Sequence, residues 1–245
     1  KYYESSKLEA AFVENKIDYV IHTATHHCKY YQAMQEVFAT NIDLGLRLLD
    51  CSNKNGIKCF VNMDSILSKE INLYSFTKNL FRESLVFLSN DLNVNIVNIK
   101  LDMMYGAFSG SHNFIQNMFE KLAKNETEIN LTEGKQKRSF LYIKDIVTAI
   151  AMIIKNEHII NQKYNEFYLI HPVLNSVKDV METLKEITQS STKLNFGALP
   201  YRNNEIMETS TEYSIYISLS WSPEYSLKKG LIEMSNETTN KIYPQ

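Results

Sequence analysis

The sequence predicts an α/β protein built on a parallel sheet with helices on both faces. Short apolar runs at 18–24, 57–63 and 94–100 have strand length, and strands buried on both faces read as such runs. Helically periodic segments separate them, and the short connections imply right-handed strand–helix–strand crossovers. The apolar share is 44% and the charged share 22% of 245 residues, a globular balance with enough chain for one large α/β domain.

The elements follow in order. Asp18 to Ala24 forms the first buried strand. Residues 30–54 are helical, with Phe38, Ile42, Leu44, Leu48 and Leu49 at helical spacing. Gly56 punctuates, and Ile57 to Met63 is the second strand. A helix from Tyr74 to about Leu88 buries Leu80, Phe81, Leu85 and Leu88, and Val94 to Lys100 is the third strand. Past Gly106 a loop from Ala107 to Asn113 leads into a helix ending at Lys124. After a polar stretch comes Arg138 to Ile143, and Asp145 is expected to cap the next helix by accepting from its first free amides. A strand at 165–170, a helix near 176–188 and a C-terminal helix from about Ser226 complete one compact unit of a larger and a smaller half.

Composition narrows the function. A net charge of −2 provides no electrostatic footprint for nucleic acid, so an anionic ligand must be held by a few placed cations. The three cysteines, Cys28, Cys51 and Cys59, lack metal-ligand spacing and read as thiols of a reducing compartment. His26 and His27 have no spaced third ligand, so no metal site is expected. The opening residues lack the apolar core of a leader and no stretch approaches a membrane span, which gives a cytoplasmic expectation.

The chemistry is carried by Tyr74 and Lys78, one helical turn apart, behind a strand ending at Ser65. Tyr-x-x-x-Lys alone is a weak signal: it recurs at Tyr3/Lys7 and Tyr225/Lys229 without other support. Here it sits in an ordered series: His22-Thr23-Ala24 on a strand, Asn41 on the next helix, Ser65, Tyr74/Lys78, Tyr105-Gly106, then Arg138 through Asp145. The motifs Phe196 to Met207, containing Arg202 and Glu205, and Leu219 to Pro223 extend it. This series resembles the extended short-chain dehydrogenase/reductase family, the NAD-dependent epimerases and dehydratases of nucleotide sugars, over nearly the whole chain. The Phe196 motif looks especially like the 4-ketoreductases of CDP-linked deoxysugars in O-antigen synthesis.

The resemblance implies a truncated Rossmann-like parallel sheet with helices on both faces, plus a small C-terminal substrate-binding subdomain. Residues 1–106 with about 138–170 would form an incomplete dinucleotide-binding core, and 107–137 with 171–245 the substrate-binding part. It implies NADP or NAD as cofactor, contacted by Ala24, Thr25, Asn41, Met63 and Lys78. Tyr74 would be the acid, Lys78 its tuner, and Ser65 the donor polarising the substrate oxygen. Asn113, Arg138 and Arg202 would hold a nucleotide-diphosphate sugar of CDP type, and a homodimer would pair through helices 30–54 and 74–88. The physics agrees with these roles. Hydride addition builds negative charge on a ketone oxygen, so a proton donor must stand there. A phenol of pKa near ~10 is a reluctant donor, and an ammonium about 6 Å away is expected to bring it down. Guanidinium forks suit phosphate oxygens.

The sequence departs from the family pattern in two places. Family members open with a strand, a glycine-rich turn and a helix whose N-terminus receives the pyrophosphate. The seven glycines here are scattered singly, and roughly 40 residues of that half are expected to be missing, judged from the size of a βαβ unit. The remaining sheet would then show an open strand edge. Ser65 and Tyr74 are also only nine positions apart, a short gap for two hydroxyls that must meet at one oxygen. A fragment of a complete enzyme and a decayed gene product both fit these departures.

Overall fold

A computed structural model describes residues 5–27, 34–110, 112–209 and 214–242. Cys28, Tyr3 and the first part of the helix expected at 30–54 lie outside the described residues. The chain divides into two compact units.

The first unit comprises Lys1–Leu101, Met152–Leu169 and Ile217–Leu219. Its strands are β1 (Tyr19–His22), β2 (Cys59–Ser65), β3 (Asn95–Leu101) and β8 (Tyr164–Leu169), all parallel in the order β1-β2-β3-β8. The helices preceding β3 are α1 (Ser5–Glu14), α2 (Met34–Phe38), α3 (Leu44–Lys54) and α4 (Leu73–Leu88). Leu49, Phe60, Phe81, Leu85 and Ile96 anchor the core on one face of this sheet. The three apolar runs seen in the sequence are therefore strands in a parallel sheet, as expected. β1 pairs with β2 alone among the described residues, and Ile21 on it is 43% exposed.

α2 and α3 are joined by a π-helical turn, Ala39–Asp43. Such a turn is an inserted residue, costly unless something fixes it, and it marks functional positions often. Asn41 is the residue at its centre. The start of α4 is set by Asn72, whose side chain accepts from Ser75 N at 2.8 Å while Ser75 Oγ accepts from Asn72 N at 3.1 Å. This reciprocal cap begins the helix just before Tyr74.

The second unit comprises Asp102–Ala151, Ile170–Tyr216 and Ser220–Gln245. It holds the short strands β4 (Met103–Tyr105), β5 (Glu128–Asn130), β6 (Lys137–Arg138), β7 (Phe140–Tyr142), β9 (Asn175–Ser176) and β10 (Lys193–Asn195). Its helices are α5 (Phe114–Ala123), α7 (Val177–Thr188), α9 (Leu227–Ile242) and most of α6 (Ile143–Lys155); the residues of α8 (Ser214–Leu219) are assigned partly to each unit. Ile115, Leu122, Tyr142, Val180, Leu184 and Leu231 lie in its core.

Asp145 corrects an expectation. It lies inside the first turn of α6, and its two carboxylate oxygens accept from Glu224 N at 2.9 Å and Tyr225 N at 3.2 Å. The helix starts at Ile143, directly after β7, which leaves the carboxylate free to satisfy amides of a distant segment. Sequence spacing alone cannot show such a long-range partner.

Candidate active site

The first unit gathers most of the expected site at the C-terminal end of β2. Ser65 ends the strand with its hydroxyl accepting from Leu67 N at 3.2 Å, and it acts on the Tyr74 phenol as a nearby hydroxyl. The chain after β2 runs through Ile66–Ile71, and α4 presents Tyr74 in its first turn. Lys78, one turn later, is buried with its ammonium donating to the Met63 carbonyl at 2.5 Å. Asn41 reads backbone bidentately: its Oδ1 accepts from His26 N at 2.7 Å and its Nδ2 donates to His26 O at 3.1 Å. Nδ2 also donates to Thr77 Oγ1 at 2.9 Å, which ties the π-turn, the segment after β1 and α4 together. Thr25 Oγ1 reaches Asn41 at 3.4 Å, and Ala24 beside it is half-buried.

The electrostatics differ from the expectation that Lys78 brings the phenol down. Tyr74 is pushed up to about 12, first by burial and then by the Asp64 carboxylate, with the Ser65 hydrogen bond acting weakly the other way. Burial also lowers the Lys78 amine, and Asp64 opposes that shift. Burial is the largest cause at both groups, and Lys78 is not among the causes at the phenol.

Sequence reasoning missed two neighbours. The His27 ring stacks on Tyr74 with centroids 4.6 Å apart, and no sequence signal beyond the adjacent histidines pointed there. Asp64, between Met63 and Ser65, forms an ion pair with Arg82 at 2.7 Å. Its signal was available as a period-2 pattern. Asn62 and Asp64 on β2, Asn98 and Lys100 on β3, and Glu166 on β8 share one sheet face by register.

His22 is packed between Phe60 and Phe81, with ring centroids at 6.0 and 5.7 Å, and its Nε2 is buried with no hydrogen-bond partner. Burial, with Lys78 adding to it, lowers its pKa from 6.5 to about 4. Protonation is harder in the fold than in the unfolded chain, so this stability is complete above about pH 6.5 and is lost as pH falls through about 4. We expect roughly 3 kcal/mol of acid sensitivity from this one group, and His22→Leu should flatten the fall of Tm with pH across that window. Parallel slopes for both proteins would refute it.

In the second unit, Arg138 is buried on β6. It donates to Glu205 Oε1 at 2.9 Å and to the Lys137 carbonyl at 3.0 Å. The end of the Phe196 motif runs beside β6, with Lys137 N donating to Met207 O at 2.8 Å and Thr209 N to Lys137 O at 3.2 Å, which delivers Glu205 to the guanidinium. Asp102 accepts from Ser139 N at 2.8 Å and Thr209 Oγ1 at 2.5 Å, and burial raises its carboxyl. Arg202 is exposed. Asn113 caps α5, its Oδ1 accepting from Ile115 N and Gln116 N at 3.1 and 3.3 Å and its Nδ2 donating to Met104 O at 3.1 Å. Both ends of that side chain are thus engaged in holding the helix start.

A parallel sheet of Rossmann type with a hydroxyl, a phenol and a lysine at one strand end is an architecture of dinucleotide-dependent enzymes. The chain belongs to the NAD dependent epimerase/dehydratase family, whose pattern matches residues 1–165. CDP-abequose synthase of Salmonella muenchen is 30% identical over 222 residues, covering 88% of this chain and 75% of that protein. Among solved structures, the UDP-glucose 4-epimerase of Thermotoga maritima with UDP-glucose is 20% identical with a TM-score of 0.83, covering 98% of this chain and 82% of that one. UDP-glucuronic acid 4-epimerase of Bacillus cereus, in complex with UDP-glucuronic acid and NAD, is 19% identical with a TM-score of 0.83, covering 96% and 79%. The family resemblance and the cofactor class expected from the motifs are both found.

The residues present fit the nicotinamide–ribose end of such a dinucleotide. An ammonium has three N–H groups and Met63 takes one from Lys78, so donors remain for hydroxyls. Among the described residues no glycine-rich turn leads from a strand into a helix.

Proposed function

We propose that this chain reduces a nucleotide-linked 4-keto-deoxysugar, of the CDP-linked class named in its CDP-abequose synthase relatives, in surface-polysaccharide synthesis in the cytoplasm. The observation that carries the reading is the Tyr74 phenol near Ser65 at the end of β2, with Lys78 buried one helical turn along and held by the Met63 carbonyl. When bound, NAD(P)H supplies the hydride. Ser65 donates a hydrogen bond to the ketone oxygen, and Tyr74 transfers its phenolic proton there as charge develops. Lys78 holds ribose hydroxyls with its remaining N–H groups, alongside Ala24, Thr25, Asn41 and Met63. Arg138, with Arg202, takes the diphosphate, which requires Glu205 to yield the guanidinium to phosphate oxygens. Asn113, at the start of α5, adds the remaining substrate contact in this reading.

The test is to mix the protein with NADPH and a CDP-4-keto-dideoxyglucose and follow loss of the reduced cofactor's absorbance. Turnover is the expected result. Calorimetric binding of both ligands without turnover would reject the reading. The nucleotide-sugar 4-epimerase alternative needs the same proton relay and retains NAD through the cycle, so tightly held NAD in the purified protein would favour it. Binding of CDP without any dinucleotide binding would favour an inactive remnant.

Two copies pair through α3 and α4 in this reading. α4 exposes Phe76, Val86 and Phe87 at 38, 46 and 76%, apolar surface that such a pairing would cover. Phe87→Glu should convert the dimer to a monomer of half the mass by sedimentation equilibrium. A wild-type protein that sediments as a monomer at micromolar concentration counts against the pairing.

A further inference from the structure

Asp64 stands between Met63, whose carbonyl holds Lys78, and Ser65, whose hydroxyl meets Tyr74. Its side chain is fully buried. Oδ2 accepts from Arg82 at 2.7 Å and from Asn98 Nδ2 at 3.0 Å, while Oδ1 is buried with no hydrogen-bond partner among the described residues. A buried carboxylate is costly and is stable only when its charge and lone pairs are answered. One oxygen left unanswered beside a reactive pair is poor packing, and it calls for a functional account.

The geometry around it supplies one. Lys78, Asn79 and Arg82 lie on one face of α4 and fasten it to β2 and the turn beyond. Lys78 holds Met63 O, Asn79 Nδ2 donates to Leu67 O at 2.9 Å, and Arg82 holds Asp64 while also touching Asn79. These three struts span the nine-position gap that brings Tyr74 to Ser65.

We propose that Asp64, held by Arg82, is a positioning residue for Tyr74, locking the opening turns of α4 against the end of β2 and setting the charge that the phenol and the Lys78 amine experience. The carboxylate keeps the phenol protonated until a ketone oxygen takes the proton; the phenolic O–H breaks, the substrate O–H forms, and a phenolate remains. The charged and polar groups acting on Tyr74 are His27 from the segment after β1 and Asp64 and Ser65 from β2, with Lys78 one turn along its own helix. Glu166 extends the polar layer behind Asp64, bonded to Asn98 at 3.2 Å and paired with Lys100 at 2.5 Å. Of these, Asp64 acts on Tyr74 most strongly after burial itself, and it also opposes the fall of the Lys78 amine.

The turnover consequence rests on the reductase reading, but the charge effect does not. The experiment is tyrosine-13Cζ NMR of the full chain, with the Tyr74 signal assigned by its loss in Tyr74→Phe. The wild-type signal should stay fixed up to about pH 10.5 and move below that in Asp64→Asn, an apparent fall of about one unit or more. The Asp64→Asn/Arg82→Met double variant removes both charges, so a failure of the single variant to fold leaves the question answerable. Identical Tyr74 titration in wild type and a folded variant overturns the proposal, as does failure of both variants to fold. A shifted titration in a protein that never turns over substrate would sink the reductase reading and leave this one standing.

Discussion

Tyr74→Phe is expected to reduce kcat for ketone reduction by about 10²–10⁴-fold, the usual worth of a positioned proton donor. The ring keeps its place against His27, so KM for the nucleotide sugar should hardly move; an interaction made only in the transition state affects kcat alone. The pH dependence has a definite sign. With the phenol raised to about 12, it is protonated throughout the neutral range, so reduction should show no alkaline fall below about pH 10. Alcohol oxidation needs the phenolate, and its rate should climb about tenfold per pH unit over the same range. Steady-state kinetics in both directions decide this. A Tyr74→Phe protein within a factor of about three of wild type would remove the phenol from the chemistry.

Arg82→Met is expected to have the largest effect on stability. It leaves Asp64 charged, with a side chain wholly out of water and its strongest partner gone. Breaking one side of a buried pair costs about 3–5 kcal/mol, which for a chain of this size lowers Tm by roughly 10 °C. Adding Asp64→Asn should recover most of the loss, since no stranded charge then remains. Thermal unfolding of the two variants side by side makes the comparison. A single variant as stable as wild type would refute it.

The parallel sheet was legible because apolar runs at 57–63 and 94–100 must be covered on both faces, and β2 and β3 stand there within a residue or two. The Ser65–Tyr74 meeting was legible as a motif, while its energetics were not. The rule that a lysine one turn away lowers a phenol assumes a wet helix surface. At Tyr74 and Lys78 the loss of water decides, and loss of water depends on packing that spacing does not encode. Asp145 failed for a related reason: an acid near a helix start suggests a local cap, but its amides come from residues 224 and 225. Arg138 was legible as a cation in the right motif, and its capture by Glu205 from 67 positions away was not.

β1 leaves one flank of its backbone without a ladder among the described residues, and Tyr19–His22 carries no lysine or proline there to discourage a newcomer. A rim of that kind accepts any extended strand that reaches it. The isolated chain should therefore fail first by stacking rim to rim in concentrated solution, well before its two interiors come apart on heating.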